Sequence, residues 1–442
     1  MSSSDIVENS PPDSGQPLII SRDKHNVSRK NMTEEVLKVL YRLKSQGHVA
    51  YLCGGGVRDL LLGKKPKDFD VATDARPGRL KKIFHNAWLV GRRFRLAHMV
   101  FKGGKIVEVS TFRRQAEIPE TVGDSLLISH DNTFGTEAED ALRRDFTINA
   151  LYYNIVGFSI IDYVGGMEDI TRKLIRSVGD PFIRFQEDPL RICRGIRFAV
   201  HLGFRIEENT WKAMVEHGPK LSMCAPPRVQ EELLRLMRGG SMTEGFSLLR
   251  QTNSLYEVLP EIAYLAERPE SEQFQWEIFR AMDRLRSGES PYSDAMLWAS
   301  VFLQPMFDAL DKAPVESDPA NEGYEYLRGP GARLNIPKAV RRQMLQILLD
   351  ARNMLTLPTG QRSGHRKSRL FVHADFAEAL KLLEVFLTAK GGDLSIVDIW
   401  RQEYQTWLER KAAPVKKKRR RKKRARKKRL TGVPQESNIE SS

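Results

Sequence analysis

Two aspartates separated by a single phenylalanine follow a glycine-rich turn in the segment 54-GGGVRDLLLGKKPKDFDVATDA-75. Because side chains alternate between the two faces of a strand, Asp68 and Asp70 should point the same way, with Phe69 directed into the core. Two converging carboxylates repel each other unless a cation lies between them. Their hard oxygen atoms suit Mg²⁺, which shares its remaining sites with water and phosphate oxygens. The spacing therefore indicates a magnesium site that handles a phosphate compound; a solvated turn is the alternative.

A third acid lies in the predicted strand 105–112. Glu108 places a charge in the middle of this apolar run, and a buried carboxylate without a partner is costly. A neighbouring strand could bring Glu108 beside the aspartate pair, where a metal would satisfy all three carboxylates. We therefore predict Asp68, Asp70 and Glu108 as metal ligands.

The glycine turn supplies backbone N–H groups that can approach a phosphate closely. Gly55 and Gly56 stand just before a predicted helix over 57–62, in which Arg58 adds a cation. Helix N-termini and glycine-rich turns both favour bound anions. An ordinary tight turn is the alternative. The combination of the glycine turn with two nearby aspartates favours a phosphate-binding turn.

A second group of polar residues lies in 143-RRDFTINAL-151. Asp145 and Asn149 are four residues apart and would share a face on a helical turn, so a carboxylate and an amide could address one ligand. Arg143 and Arg144 would oppose phosphate charge. A helix N-terminus with a solvated arginine pair is the alternative.

A third group lies in 187-EDPLRICRGIRF-198. Asp188 followed by Pro189 is the pattern of an N-cap with proline at the first helical position. Asp188 and Arg191 lie three apart on this helix and offer an acceptor and a donor fork, enough to address the Watson–Crick edge of one base. Arg197 is expected to form an ion pair at the surface or the edge of the core.

Between these groups, 89-LVGRRFRLAHMVF-101 predicts a strand with one basic face. Alternation places Arg93 and Arg95 on that face and Phe94 on the other. A half-exposed strand with a basic face is the simplest interpretation. His98 is expected to be a partnered strand histidine rather than a catalyst.

Composition narrows the class of protein. Hydrophobic residues make up 41% of the 442, and no run of about 18 apolar residues appears, so no membrane segment is expected. The first twenty residues lack the basic start and apolar core of a secretory signal. Cys53, Cys193 and Cys224 are too widely spaced to predict a disulfide framework or a zinc site. We therefore expect a reducing, cytoplasmic setting.

The basic charge is concentrated near the C-terminus. The formal net charge is +15, and residues 416–429 contain thirteen Lys or Arg, which leaves about +2 for everything else. Such a tail cannot bury apolar surface, and its charge attracts polyanions, with nucleic acid the first candidate. A solubilising or localising tail is the alternative.

The patterns along the chain predict an α+β fold in five segments. Strand and helix patterns mix up to about residue 180, and proline-punctuated helical patterns dominate afterwards. The segments are a disordered lead-in over 1–22, a mixed-sheet head over 23–180, a helical neck over 181–268, an all-helical body over 269–410 and a disordered basic tail over 411–442.

Two stretches are predicted to lack regular structure. The Pro/Gly-rich run 327-LRGPGARLNIP-337 is a candidate linker. The polar run 115–140 reads as a mobile loop near the site, and its acids Glu137, Glu139 and Asp140 are expected to be solvated.

The motifs together resemble those of a known family. The run GGGVRDLLLGKKPKDFDVAT resembles the first motif of the bacterial tRNA nucleotidyltransferase/poly(A) polymerase family, a branch of the polymerase-β-like nucleotidyltransferases. The segments 143–151 and 187–198 are similar to its other motifs, and the match spans roughly 25–240 in the right order. The run GRRFRLAH is similar to a signature that separates the bacterial poly(A) polymerases from their CCA-adding relatives.

The resemblance implies template-independent addition of AMP from ATP to RNA 3′ ends, with release of pyrophosphate, in RNA processing and decay. It implies two Mg²⁺ ions, ATP as substrate, and RNA 3′ ends as partners, with RNA-decay proteins as further candidates. Its implied catalytic residues are Asp68, Asp70 and Asp145. Its implied nucleotide-binding residues are Gly55, Gly56, Arg58, Arg144, Asn149, Asp188, Arg191 and Arg194.

Two other functions compete with this interpretation. A CCA-adding enzyme could use the same head and would add only C and A to truncated tRNA. An RNA-binding protein with an inactive nucleotidyltransferase head is the second, and the intact Asp-Phe-Asp of residues 68–70 counts against it.

Overall fold

A mixed β-sheet occupies the N-terminal part of the chain, and helices form most of the remainder. The computed structural model describes residues 16–91, 96–114, 133–286, 292–357 and 364–412. The strands are β1 (Leu18–Ile20), β2 (Ala50–Cys53), β3 (Asp70–Thr73), β4 (Ala87–Val90), β5 (Leu96–Val100), β6 (Ile106–Thr111), β7 (Leu151–Asn154), β8 (Ser159–Asp162), β9 (Leu174–Ile175) and β10 (Arg205–Ile206).

The helices divide at about residue 180. Those of the head are α1 (Glu34–Ser45), α2 (Gly55–Leu61), α3 (Pro77–Ile83), α4 (Glu137–Arg143) and α5 (Gly166–Arg172). Those that follow are α6 (Pro181–Glu187), α7 (Leu190–Leu202), α8 (Glu208–His217), α9 (Pro226–Arg238), α10 (Met242–Gln251), α11 (Leu255–Val258), α12 (Pro260–Ala266), α13 (Pro269–Leu285), α14 (Asp294–Lys312), α15 (Pro319–Arg333), α16 (Lys338–Thr356), α17 (Gly364–Phe371), α18 (Phe376–Lys390) and α19 (Ser395–Ala412). Short 3₁₀ helices cover Arg22–Lys24, Arg29–Asn31, Lys102–Gly104, Thr147–Asn149 and Gly218–Met223.

Within the described residues, eight strands form one sheet in the order β1-β8-β7-β2-β3-β6-β5-β4. β3 and β6 are parallel, and the other neighbouring strands are antiparallel. β9 and β10 form a separate parallel pair. The mixed-sheet head and the helical remainder confirm the predicted α+β fold. β1, of three residues, was not predicted.

One face of the sheet packs against α1. Val36, Leu40 and Leu43 are fully buried there, as their helical spacing predicts. Thr33 caps this helix, since its hydroxyl accepts a hydrogen bond from the Val36 N–H at 3.5 Å. The opposite face carries a smaller core over β2, β3 and β7, built around the buried rings of Tyr152 and Phe112.

A continuous hydrophobic core joins the head to the helices that follow it. Phe146 and Ile175 of the head belong to the same cluster as Trp298 and Trp400 of the body. α7 packs on α9 and α10 within this core. The continuity holds α7 and α9 in place beside the head, and these two helices form one wall of the candidate site.

The predicted lead-in and linker are both wrong in part. Leu18–Ile20 pairs with β8, so ordered structure begins inside the segment 1–22. The predicted linker instead continues α15, with Pro330 inside the helix. Leu327 and Ile336 are buried in the core around it. Apolar burial therefore outweighs the hydrogen bond that the proline removes.

The predicted loop after β6 is also partly helical. Residues 115–132 lie outside the described residues, but α4 follows, and its N-terminus carries a capping box formed by Thr136 and Glu139. Asp140 is 2% exposed, so the expectation that this acid is solvated is wrong. Two neighbouring arginines and a tyrosine hydroxyl satisfy its carboxylate.

No helix within the described ranges is both long and apolar enough to cross a membrane. The three cysteines are unbonded, and Cys53 and Cys193 are buried. Burial raises the pKa of the Cys53 thiol to about 12, so it remains protonated at neutral pH.

Candidate active site

A cleft of about 1210 Å³ opens between the sheet and the helices α7 and α9. Every site residue predicted from the sequence lines it, namely Gly55, Gly56, Arg58, Asp68, Asp70, Glu108, Arg144, Asp145, Asn149, Asp188, Arg191 and Arg194. The three motifs are distant in sequence and meet in this one place.

The glycine turn before α2 lets an acid and an arginine approach the backbone. Gly54 has φ +69°, and a Cβ there would lie 3.2 Å from Arg144 Nη1 and 3.8 Å from Asp70 Oδ2. A Cβ on Gly56 would lie 3.4 Å from the Asp68 carbonyl oxygen. Both the left-handed conformation and the close approach favour glycine at position 54. The turn therefore brings the two aspartates to the N-terminus of α2.

The aspartate pair alternates as the sequence predicts. Asp68 is exposed just before β3, Phe69 is buried, and Asp70 begins the strand. Parallel pairing of β3 with β6 places Glu108 directly opposite Asp70. Burial raises the pKa of Asp70 to about 6, with further contributions from the Glu108 and Asp68 charges against an opposing effect of Arg144.

The carboxylates do not form a closed cage by themselves. Within the described residues, no group of three His, Cys, Asp or Glu side chains is placed to hold a metal ion. Mg²⁺ commonly uses one or two protein carboxylates and takes its other ligands from water and substrate phosphates. The carboxylate oxygens of Asp68 and Asp70 fit such an ion, and the pKa of the Asp70 carboxyl is raised. The role of Glu108 as a third ligand stays a prediction.

Arg58 is fixed inside the wall of the cleft. Its Nε and Nη2 donate to Asp59 Oδ1 at 2.9 and 2.7 Å, and Nη1 donates to Asn149 Oδ1 at 2.7 Å. The guanidinium also lies 5.1 Å from the centre of the Phe198 ring. These contacts join α2 to the second and third motifs. A direct contact of Arg58 with phosphate stays a prediction.

Arg144 is part of a buried network rather than a solvated pair. Its Nη2 donates to Asp140 Oδ2 at 3.0 Å and its Nη1 to the Asn149 carbonyl at 3.1 Å. The Tyr152 hydroxyl donates to Asp140 Oδ2 at 2.8 Å. Burial alone would raise the pKa of Asp140, but the Arg144 and Arg143 charges hold it below its ordinary value.

Asp145 connects the head to the neck. Its Oδ2 accepts hydrogen bonds from Arg194 Nε and Nη2 at 2.8 and 2.5 Å, and its Oδ1 accepts from Asn149 Nδ2 at 3.2 Å. Burial opposes ionisation of Asp145, yet Arg194 holds its pKa well below the usual range. Arg194 Nη1 lies 3.5 Å from Glu232 Oε1. The predicted pairing of Asp145 with Asn149 is present, and both are tied to the third motif.

Asp188 does not cap α7 as predicted. It ends α6, and its side chain instead pairs with Arg228 of α9, at 2.8 and 3.3 Å. Arg191 donates to the Arg184 carbonyl at 3.2 Å and lies 3.7 Å from Glu187 Oε2. Burial and the nearby Arg184 charge lower the pKa of Arg191 to about 10. A cation that is poorly compensated in this way favours an additional acceptor, such as a base edge.

Several cleft residues lie beyond the three motifs. Arg228, Glu232 and Arg235 of α9 also line the cleft. Glu232 is 5% exposed and accepts from Arg197 Nε at 2.9 Å, which confirms the ion pair expected for Arg197. A buried acid at this position was not predicted. Basic and acidic residues both occur in the run 227-PRVQEELLRLMR-238. This mixed pattern indicates that α9 faces another charged element.

Part of the predicted basic strand face lies outside the described residues. Arg93, Phe94 and Arg95 are outside the described residues. His98 lies within them, and its Nε2 is 3.5 Å from Glu108 Oε1. It is therefore a partnered strand histidine, as predicted.

Comparison with known proteins shows that the mixed-sheet head and the acid-lined cleft are those of an RNA nucleotidyltransferase, and it identifies the family. Residues 50–176 match the family described as "Poly A polymerase head domain", and 203–265 match "Probable RNA and SrmB- binding site of polymerase A". Poly(A) polymerase I of Salmonella typhi is 38% identical over 403 residues, which cover 88% of this chain and 85% of that protein. The chain belongs to the poly(A) polymerase family.

CCA-adding enzymes share the fold but match less of the sequence. The CCA-adding enzyme of Bacillus pumilus is 40% identical over 225 residues, which cover 51% of this chain and 54% of that protein. The structure of the Bacillus stearothermophilus CCA-adding enzyme in complex with CTP has a TM-score of 0.63 at 27% identity, covering 85% of this chain and 82% of that one. The longer match to the poly(A) polymerase confirms the predicted function over its CCA-adding alternative.

Proposed function

We propose that this protein adds AMP units from ATP to RNA 3′ ends without a template and releases pyrophosphate. The observation that carries the proposal is that one cleft joins the carboxylate edge at Asp68 and Asp70 to the polar pair Asp188 and Arg191. The first can serve the triphosphate and the attacking hydroxyl. The second can select the base, so that no template strand is needed for this selection.

Mg²⁺ is the cofactor that this reaction requires. Asp68 and Asp70, with Glu108 opposite Asp70, would hold two ions. Bound there, Mg²⁺ would lower the pKa of the RNA 3′-hydroxyl and neutralise charge on the transferred and leaving phosphates. Asp68, Asp70 and Glu108 all line the cleft and supply the hard oxygen donors that Mg²⁺ prefers, which supports this assignment.

The chain's own cations act from fixed positions. Arg58 and Arg144 are held by hydrogen bonds within the wall. Their positive charges would offset the negative charge of the triphosphate while both side chains keep these hydrogen bonds. Gly55 and Gly56 would let the phosphates approach the backbone. Arg194 donates to Asp145 through Nε and Nη2. Its Nη1 donates to Glu232 Oε1 at 3.5 Å, and the second N–H of this nitrogen would serve a base or a phosphate.

A single gel assay tests the proposed reaction. Purified protein with Mg²⁺ is incubated with each NTP separately, on an A-tailed oligonucleotide and on tRNA that lacks CCA. We expect long A tracts on the oligonucleotide with ATP. Addition restricted to C and A on the tRNA would assign CCA addition instead, and no lengthening of either RNA would point to an inactive head.

Replacement of Asp188 and Arg191 by alanine should reduce the preference for ATP over the other nucleotides by roughly tenfold to a hundredfold, the range for lost hydrogen bonds to charged groups. Triphosphate affinity should change less, because different residues face the phosphates. The measurement is kcat/KM for each NTP, with inhibition by inorganic tripolyphosphate as the affinity readout. The matched control is Asp398→Ala with Arg401→Ala, an exposed pair of the same spacing. Unchanged selectivity in the folded variant would refute base reading by this pair.

Deletion of residues 413–442 should lower RNA affinity and its salt dependence while the rate on saturating RNA is kept. Each phosphate contact on a single strand adds about 0.7 to the log–log salt slope, so the loss of even a few contacts is measurable. Binding of an A-tailed RNA is compared over a salt series. The control retains the length but replaces the thirteen basic residues of 416–429 with serine and glutamine. Coincident slopes for all three proteins would favour a solubilising or localising tail.

A cytoplasmic setting and association with RNA-decay proteins are part of the same proposal, since A tails feed RNA processing and decay. The second family match, to an RNA-binding and SrmB-binding region over 203–265, supports a neck that contacts RNA and protein partners.

A further inference from the structure

Four side chains form a row across the sheet, from the candidate catalytic edge to the outermost strand. Asp70 pairs in register with Glu108, Glu108 with His98, and His98 with Trp88. Directly opposite residues on neighbouring strands point to the same face. Asp70 and Glu108 line the cleft, so the row continues the cleft surface outward to Trp88.

This outer part of the sheet face is open to solvent. Trp88 is 68% exposed, and Val90, Val100 and Ile106 on the same face of β4, β5 and β6 are 45%, 37% and 52% exposed. Met99, which alternates to the other face, is fully buried. Single exposed apolar residues are common, but a contiguous group beside a functional cleft indicates a binding surface.

The chemistry of the surface favours bases over phosphates. On this face, the described residues of β4 and β5 are apolar or aromatic, with His98 paired to Glu108. Three strand spacings of about 4.8 Å separate Asp70 from Trp88, or about 14 Å, which is the span of a few nucleotides. An RNA strand whose 3′-hydroxyl lies at Asp70 can therefore place an upstream base at the indole.

We infer that the outer face of β4, β5 and β6 binds the 3′-terminal segment of the RNA acceptor, with the Trp88 indole stacked on a base upstream of the reacting end. The inference rests on the proposed function, because it assigns the cleft to RNA extension. Stacking accepts any base, since every base has a π-face. The paired row connects this surface to the carboxylate edge. This continuity favours RNA over a protein partner or a second copy of the chain as the molecule bound here.

The test maps the stacked base in a binding assay that requires neither metal nor ATP. Binding of A-tailed oligoribonucleotides is measured by fluorescence anisotropy, with a single abasic site moved stepwise from the 3′ end. We expect one abasic position to weaken binding to the wild type by roughly fivefold to a hundredfold, the range for one base–aromatic stack. Trp88→Ala should weaken binding of the intact RNA by a similar factor and show no further loss at that position.

Two variants separate stacking from other effects. Trp88→Phe should retain most of the affinity and the abasic response, while Tyr324→Ala, which removes an aromatic side chain 46% exposed on α15, should match the wild type. The inference would be overturned if, at every abasic position, the wild type and Trp88→Ala lost RNA-binding affinity by the same factor. Self-association that depends on Trp88 without any coupling to an abasic site would also overturn it. Failure of the proposed function would appear separately, as a wild type that does not extend RNA with ATP.

Discussion

The Asp70→Asn variant is expected to lose nucleotide incorporation by at least about a thousandfold while its apoprotein becomes more heat-stable. The loss follows because removal of one carboxylate from the edge weakens the metal site, whose charge stabilisation of the transition state is worth several kcal/mol. The gain in stability follows because Asp70 is partly buried beside other acids. Asparagine removes the unfavourable charge and keeps nearly the same shape.

The sign of the stability effect can be checked with pH. The pKa of Asp70 is about 6 in the folded protein against an ordinary 3.8, so the folded state holds its proton more strongly than the unfolded chain. The wild type therefore loses stability relative to Asp70→Asn as the pH rises from about 4 to 6. Melting temperatures measured in EDTA should differ at pH 7.5 and converge near pH 4.

A matched acid away from the cleft supplies the control. Glu168→Gln removes a half-exposed carboxylate that pairs with Arg172 on the surface of α5 and should leave incorporation unchanged. Asp68→Asn should behave as Asp70→Asn does in the activity assay. Full Mg²⁺-dependent incorporation by both aspartate variants would contradict the metal assignment, and a lowered melting temperature for Asp70→Asn would contradict the account of its pKa.

The sequence predicted best what depends on local spacing. Alternation over residues 68–70, which lead into β3, predicted that Asp68 and Asp70 share one side while Phe69 is buried. A charged residue within an apolar strand identified Glu108 as a neighbour of the pair. Both follow from a period of two and from the cost of an isolated buried charge. The helical pattern after residue 180 was also readable, because apolar residues recur at helical spacing over long stretches.

Partners fixed by tertiary packing could not be read in this way. The pattern Asp188-Pro189 predicts a helix cap, but Arg228, forty residues later, takes the carboxylate instead. Asp140 looked like a solvent-facing acid, yet α4 places it in a buried network with Arg144. In each case the partner of the carboxylate lies on another element and meets it only once distant segments of the chain pack together.

Arg194→Met should destabilise the folded protein by about 3 kcal/mol, because it leaves Asp145 without its charged partner. Loss of one member of a buried pair costs about 3–5 kcal/mol, and the lower figure applies because the Arg194 side chain is 32% exposed. Methionine keeps much of the side-chain volume beside Phe198, whose ring centre lies 5.7 Å from the Arg194 guanidinium. The ion pair links head to neck, so activity should also fall in conditions where the variant remains folded.

The dependence of this penalty on pH separates lost charge pairing from lost packing. In the wild type, Asp145 has a depressed pKa, and its contribution to stability is present above the ordinary value of 3.8 and lost below it. In the variant, burial without a partner raises the pKa of Asp145, so the carboxyl can take up a proton as the pH falls from 7.5 to 5. The difference in urea unfolding midpoints should therefore narrow over that range. The control is Arg172→Met, which breaks an exposed pair on α5 and should change the midpoint little at either pH. A penalty for Arg194→Met that is equal at both pH values would mean that packing, rather than the charge of Asp145, holds the neck to the head.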